Sequence, residues 1–84
     1  MLHASHPNII NRLKRAEGHL RSVIEMFAQG RSCNDLAQQL HAVESAVSSA
    51  KRELIHDHIE NCLDDPRAND KGTLRELKAL AKYL

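Results

Sequence analysis

Apolar residues recur at steps of three and four along the first third of the chain: Ile9, Leu13, Ala16, Leu20, Val23 and Phe27. That spacing predicts an amphipathic helix. Pro7 suits its first turn, with Ser5 or His6 as cap. Gly18 is a weak spot inside it, and Gly30 is a natural stop. Ser32 opens a second helix as N-cap, and Asp35 sits in the first turn, where a carboxylate complements the helix dipole. The second stripe is Leu36, Leu40, Val43, Val47, Ala50 and Leu54, whose alternating steps of four and three form a coiled-coil-like seam. Ile55, Ile59 and Leu63 add another apolar line, so this helix is expected to pack against more than one neighbour. It should run to about Asp64 and stop before Pro66, because proline disfavours helical geometry at the residue before it. Residues 65–72 read as a polar loop. Thr73 and Glu76 then have capping-box spacing, and Leu74, Leu77, Leu80, Ala81 and Leu84 follow at helical intervals. The pattern predicts an all-α chain of three helices, one domain over residues 1–84, with no strand, repeat or Gly-rich phosphate loop.

Composition changes this picture in one respect. Phe27 and Tyr83 are the only aromatic residues among 84. A small helical chain with so few bulky side chains buries too little surface to stand comfortably alone, and oligomerisation or a metal normally makes up the deficit. Two cysteines do not make a disulfide framework. No apolar run approaches the ~20 residues that span a bilayer. The start, Met1-Leu2-His3-Ala4-Ser5-His6-Pro7, lacks the features of a signal peptide. A cytoplasmic protein without membrane association is therefore expected, its thiols reduced and able to bind metal.

The formal net charge of +1 conceals an uneven distribution. Residues 1–31 carry Arg12, Lys14, Arg15, Arg21 and Arg31 against Glu17 and Glu25. Residues 32–65 carry Lys51 and Arg52 against Asp35, Glu44, Glu53, Asp57, Glu60, Asp64 and Asp65. A basic first helix on a near-neutral chain is a modest nucleic-acid footprint, with a solvated helix face as the plain alternative.

Cys33, His58 and Cys62 are the residues with candidate chemistry. His58 and Cys62 are one helical turn apart and share a face, so they can pinch one metal ion. Cys33 begins the same predicted helix, and at ~1.5 Å per residue it lies roughly 37 Å from His58. An unbroken helix therefore cannot close a three-donor site within one chain, whereas a second antiparallel copy would bring its own Cys33 to the pair. Two thiolates and an imidazole suit Cu(I). A further nitrogen from His3 or His6 would permit Ni(II), Co(II) or Zn(II). The plain alternative is a chance His-x3-Cys spacing with cysteines acting as small apolar groups. His56 points to another face, and His19 and His41 read as surface or interhelical residues. A Cys33 or Cys62 nucleophile with His58 as base would lack any group to stabilise an oxyanion, so an enzyme is not expected.

The segments Asn11-Arg12-Leu13-Lys14-Arg15-Ala16-Glu17-Gly18-His19-Leu20, Arg31-Ser32-Cys33-Asn34-Asp35-Leu36-Ala37-Gln38-Gln39-Leu40 and Arg52-Glu53-Leu54-Ile55-His56-Asp57-His58-Ile59-Glu60-Asn61-Cys62 resemble the CsoR/RcnR family of bacterial transcriptional repressors, which sense metal ions or formaldehyde. The resemblance runs from about residue 6 to the end. It implies a three-helix subunit, an antiparallel four-helix-bundle dimer and a disc-shaped homotetramer. It also implies binding of operator DNA through a basic, mostly helix-one surface until the inducer binds, which derepresses a metal efflux gene. Carried over residue by residue, Cys33 comes from one subunit and His58 and Cys62 from another. Copper sensors of the family use this Cys-His-Cys set, and nickel and cobalt sensors add an N-terminal histidine. His3 and His6 lie near that region, though not at the family's offset. Formaldehyde sensors use an N-terminal proline, where this chain has Leu2 and a first proline only at Pro7. Glu76 aligns with a glutamate that the copper sensors couple to the ligand histidine, whereas the partnering tyrosine position is Ser32. The expectation is a repressor that binds DNA through Arg12, Lys14, Arg15, Lys51 and Arg52 and releases it on binding Cu(I), favoured by the thiolate count, or Ni(II)/Co(II). The alternatives are a formaldehyde-responsive repressor of the same family and a metal-buffering protein with no DNA role.

Overall fold

The computed structural model describes residues 6–64 and 71–84, so the expectations at His3 and for most of the polar loop lie outside the described residues. Three helices follow one another: α1 (His6–Ala28), α2 (Cys33–Asp64) and α3 (Lys71–Ala81). The α1/α2 turn is built by its caps. Gly30 takes φ +72°, the left-handed geometry that costs glycine least. Its amide donates to the Phe27 carbonyl at 3.2 Å and the Arg31 amide to the Met26 carbonyl at 3.3 Å, a Schellman closure of α1. Across the turn, the Asp35 amide donates to Ser32 Oγ at 3.1 Å, so Ser32 caps α2. With both ends satisfied, α1 and α2 fold back as an antiparallel hairpin.

The hairpin core is one residue wide. Ile9, Ala16 and Val23 of α1, each seven apart, are buried, as are Leu36, Val43 and Ala50 of α2 at the same spacing; Ile55 is buried too, but on another side of α2. The other half of each predicted stripe is not covered. Leu13 and Leu20 are 42 % exposed, Phe27 58 %, Leu40 41 %, Val47 45 % and Leu54 40 %. Within the hairpin each helix has one neighbour, so only one of its apolar lines is buried at that seam, while the C-terminal end of α2 has α3 as a second neighbour, as its extra apolar line predicts. The molecule measures 55 × 23 × 13 Å, which is one helix layer thick. Ile10 and Ile24 extend the uncovered line along α1.

The other edge of the hairpin is polar. Arg12 Nη1 meets Glu53 Oε2 at 3.0 Å, and His19 Nε2 meets Gln39 Oε1 at 2.7 Å. His6 Nε2 lies 3.9 Å from Asp57 Oδ2. α1 thus begins opposite Asp57, and the last turns of α2 from His58 onward project past it. α3 packs on that overhang. It begins at Lys71 rather than after Thr73, so Thr73 lies inside the helix and the capping box is not formed. No helix of the described residues is long and apolar enough to cross a membrane.

Candidate metal centre and basic flank

α2 is one helix of 32 residues from Cys33 to Asp64, so the separation of its ends is set by helical rise. Cys33 is its first residue, a free and exposed thiol. His58 is 25 positions along, roughly 37 Å away at ~1.5 Å per residue. Cys62 lies one further turn on in the same helix, and its side chain is outside the described residues. Among the described residues, no three His, Cys, Asp or Glu side chains group so that they could hold a metal ion. The donors present are nonetheless the right kind for a thiophilic ion: a solvent-accessible thiol at one end and an imidazole at the other.

His58 is partly buried, and its Nε2 lies 3.2 Å from Glu76 Oε1 on α3. A carboxylate beside Nε2 favours the tautomer with the proton there, which places the ring lone pair on Nδ1. Glu76 therefore joins the imidazole and does not cap α3. His6, the first residue of α1, is placed at the same end of the hairpin through Asp57, the neighbour of His58. His56 and His41 are exposed, and His19 is the interhelical histidine, through Gln39.

The predicted basic residues divide. Arg12, Arg15, Ala16, Ala46 and Ser49 line a groove of about 240 Å³ between α1 and α2. Arg52 Nη2 donates to Ser49 Oγ at 3.4 Å, which brings a third guanidinium to the groove. Lys14 lies elsewhere, lining a shallow depression with Ile10, Leu13 and Glu17. Lys51 is exposed and does not line the groove. Sequence reasoning missed Glu53, Gln39 and Ser49. A hairpin register that pairs residue 12 with 53 would have found the first, but it becomes available only once the turn at Gly30 is located.

Comparison with known proteins gives a consistent answer. The sequence profile of a family described as metal-sensitive transcriptional repressors matches residues 5–83. The chain is 38 % identical over 76 residues to the copper-sensing transcriptional repressor CsoR of Mycobacterium tuberculosis, covering 88 % of this chain and 64 % of that protein. It is 38 % identical to CsoR of Mycobacterium ulcerans, covering 75 % and 54 %, and 39 % identical to CsoR of Bacillus subtilis, covering 76 % and 63 %. The chain thus spans between about half and two thirds of the length of these relatives. Among solved structures, the nickel-responsive transcriptional regulator InrS superposes with a TM-score of 0.81 at 32 % identity, covering 100 % of this chain and 98 % of that one.

Proposed function

Because the chain belongs to the family of metal-sensitive transcriptional repressors, we propose that it binds operator DNA in its metal-free form and releases it on binding Cu(I) or Ni(II)/Co(II). The observation that carries this reading is the unbroken α2, with an exposed Cys33 at one end and His58 at the other. Cys33 of one copy and His58 and Cys62 of a second would hold the ion, which supplies a bond between two chains. The uncovered line of Leu13, Leu20, Phe27, Leu40, Val47 and Leu54 supports the second copy, because an antiparallel hairpin laid on it buries both sets at once. A dimer of such dimers gives the homotetramer that the resemblance implies.

Each residue has a task. Glu76 holds the Nε2 side of His58 and keeps the imidazole lone pair on Nδ1, so α3 reports on the state of that ring. Arg12, Arg15 and Arg52 face phosphates, with Lys14 and Lys51 adding less directed positive charge. Glu53 sits on the same rigid helix as His58 and grips Arg12. A shift of α2 against α1 therefore moves the guanidinium that faces DNA. Release requires the ion to favour the arrangement with low DNA affinity, and a coupling of about 1–3 kcal/mol is typical. The CsoR relatives are copper sensors and the structural neighbour responds to nickel. The thiolate set favours Cu(I), while His6 beside Asp57 supports a nitrogen-rich site for Ni(II)/Co(II).

The test is a gel shift with DNA from upstream of the chain's own gene, with and without metal. Arg12→Ala/Arg15→Ala should weaken DNA binding at least about tenfold, with steep salt dependence in the parent chain. Metal affinity should not change. A protein that binds metal between two chains yet shows no DNA affinity at any salt concentration would be a metal buffer, and the repressor reading would fall.

A further inference from the structure

We propose that Glu44 and Lys51 form a charge code on the face of α2 that meets a second copy, each pairing with the opposite ion of the other chain. The inference rests on the shared metal site proposed above and adds what selects the partner and its register. Alternating steps of four and three lead along α2 from Cys33 to His58 through Leu40, Glu44, Val47, Lys51 and Leu54. The donors and the two ions therefore share one stripe of the helix. Glu44 and Lys51 each directly follow a buried residue, Val43 or Ala50, so they stand ~100° round the helix from the buried line. Both are exposed, and neither makes an ion pair among the described residues. Within one chain they are two turns apart, ~10 Å along the axis.

An antiparallel copy changes that. A register that sets Cys33 opposite position 62 of the second copy has its two-fold centre between Val47 and Ser48. The same centre sets Glu44 opposite Lys51 of that copy, and the symmetry repeats the pair. A parallel copy in register would instead stack Glu44 on Glu44 and Lys51 on Lys51, an arrangement that like charges disfavour. Ion pairs at such a seam add little strength and serve mainly to choose partner and alignment. The occupant that fits the stripe is a second copy of this chain, and Lys51 then meets a carboxylate rather than a phosphate.

The test is a charge exchange at these two positions, read by light scattering as the protein concentration at which chains assemble. Glu44→Lys and Lys51→Glu each set like charges across the seam and should each raise that concentration about tenfold. Glu44→Lys/Lys51→Glu exchanges the charges within the same register, and should restore parent-like assembly and parent-like metal affinity. An equimolar mixture of the two single variants, refolded together, should recover assembly too, because one chain then offers two lysines and the other two glutamates. Carbodiimide treatment of isotope-labelled and unlabelled parent chains, refolded together, should join Glu44 to Lys51 in peptides of mixed label. This link reads the pair without any substitution, so it decides the matter should the variants not fold. Parent-like assembly of both single variants, no rescue in a folded double variant, or absence of the mixed-label link would overturn the code. The shared site stands in that case if the parent chain still assembles and binds metal. A parent chain that stays monomeric at every concentration with metal present would overturn the site and the code together.

Discussion

The two edges of the α1/α2 hairpin share one backbone and one register but differ in chemistry. One edge carries Leu13, Leu20, Leu40 and Val47, each at least 41 % exposed. The other carries Arg12–Glu53 and His19–Gln39, pairs already made within the chain. The apolar edge is unfinished, because water contact with that much aliphatic surface is relieved only by a second layer. The polar edge is complete, because each group has a partner or faces solvent. The difference suggests a division of labour, with assembly on one side and ligand contact on the other.

The sharpest way to break this division is to charge the apolar edge. Leu20→Glu should leave the chain monomeric by light scattering where the parent assembles, since a carboxylate buried in the proposed four-helix seam is strongly disfavoured. It should also lower metal affinity about a hundredfold or more, because the proposed site takes its donors from two chains. A monomer retaining parent-like metal affinity would show that the site forms within one chain. A smaller effect should come from Glu76→Gln. Metal should still bind, but the drop in DNA affinity on metal addition, about 1–3 kcal/mol in a coupled system, should shrink. Unchanged coupling would remove α3 from the signal. The smallest effect belongs to the polar edge. His19→Ala loses one part-buried hydrogen bond and should lower stability by about 0.5–1.5 kcal/mol in denaturant titration, with assembly unaffected.

Much of this was legible before the structure. Ser32 as cap and Gly30 as stop follow from local backbone chemistry and appear as expected. The reach between Cys33 and His58 was also legible, since it needs only a continuous helix. What could not be read was which apolar line each helix spends inside its own chain. Val23 and Phe27 have the same spacing signal, yet Val23 is 1 % exposed and Phe27 58 %. Periodicity marks an apolar face and says nothing of how many neighbours cover it. The role of Glu76 was open for a similar reason. Capping of α3 and contact with His58 are both local options for a carboxylate, and the choice depends on where α3 begins. The groove escaped notice because Ala16, Ala46 and Ser49 carry no signal individually and line a common surface only when two helices align them.

The 32-residue span of α2 has a consequence for physiology. In the proposed site, a rod with the Cys33 thiol at one tip and His58 near the other would not respond to an inducer as a lone molecule, so sensitivity would depend on how much of the protein the cell makes. At copy numbers too low for chains to find each other, such a regulator would be deaf. Its detection threshold would then be tuned by its own expression as well as by the strength of its coordination bonds.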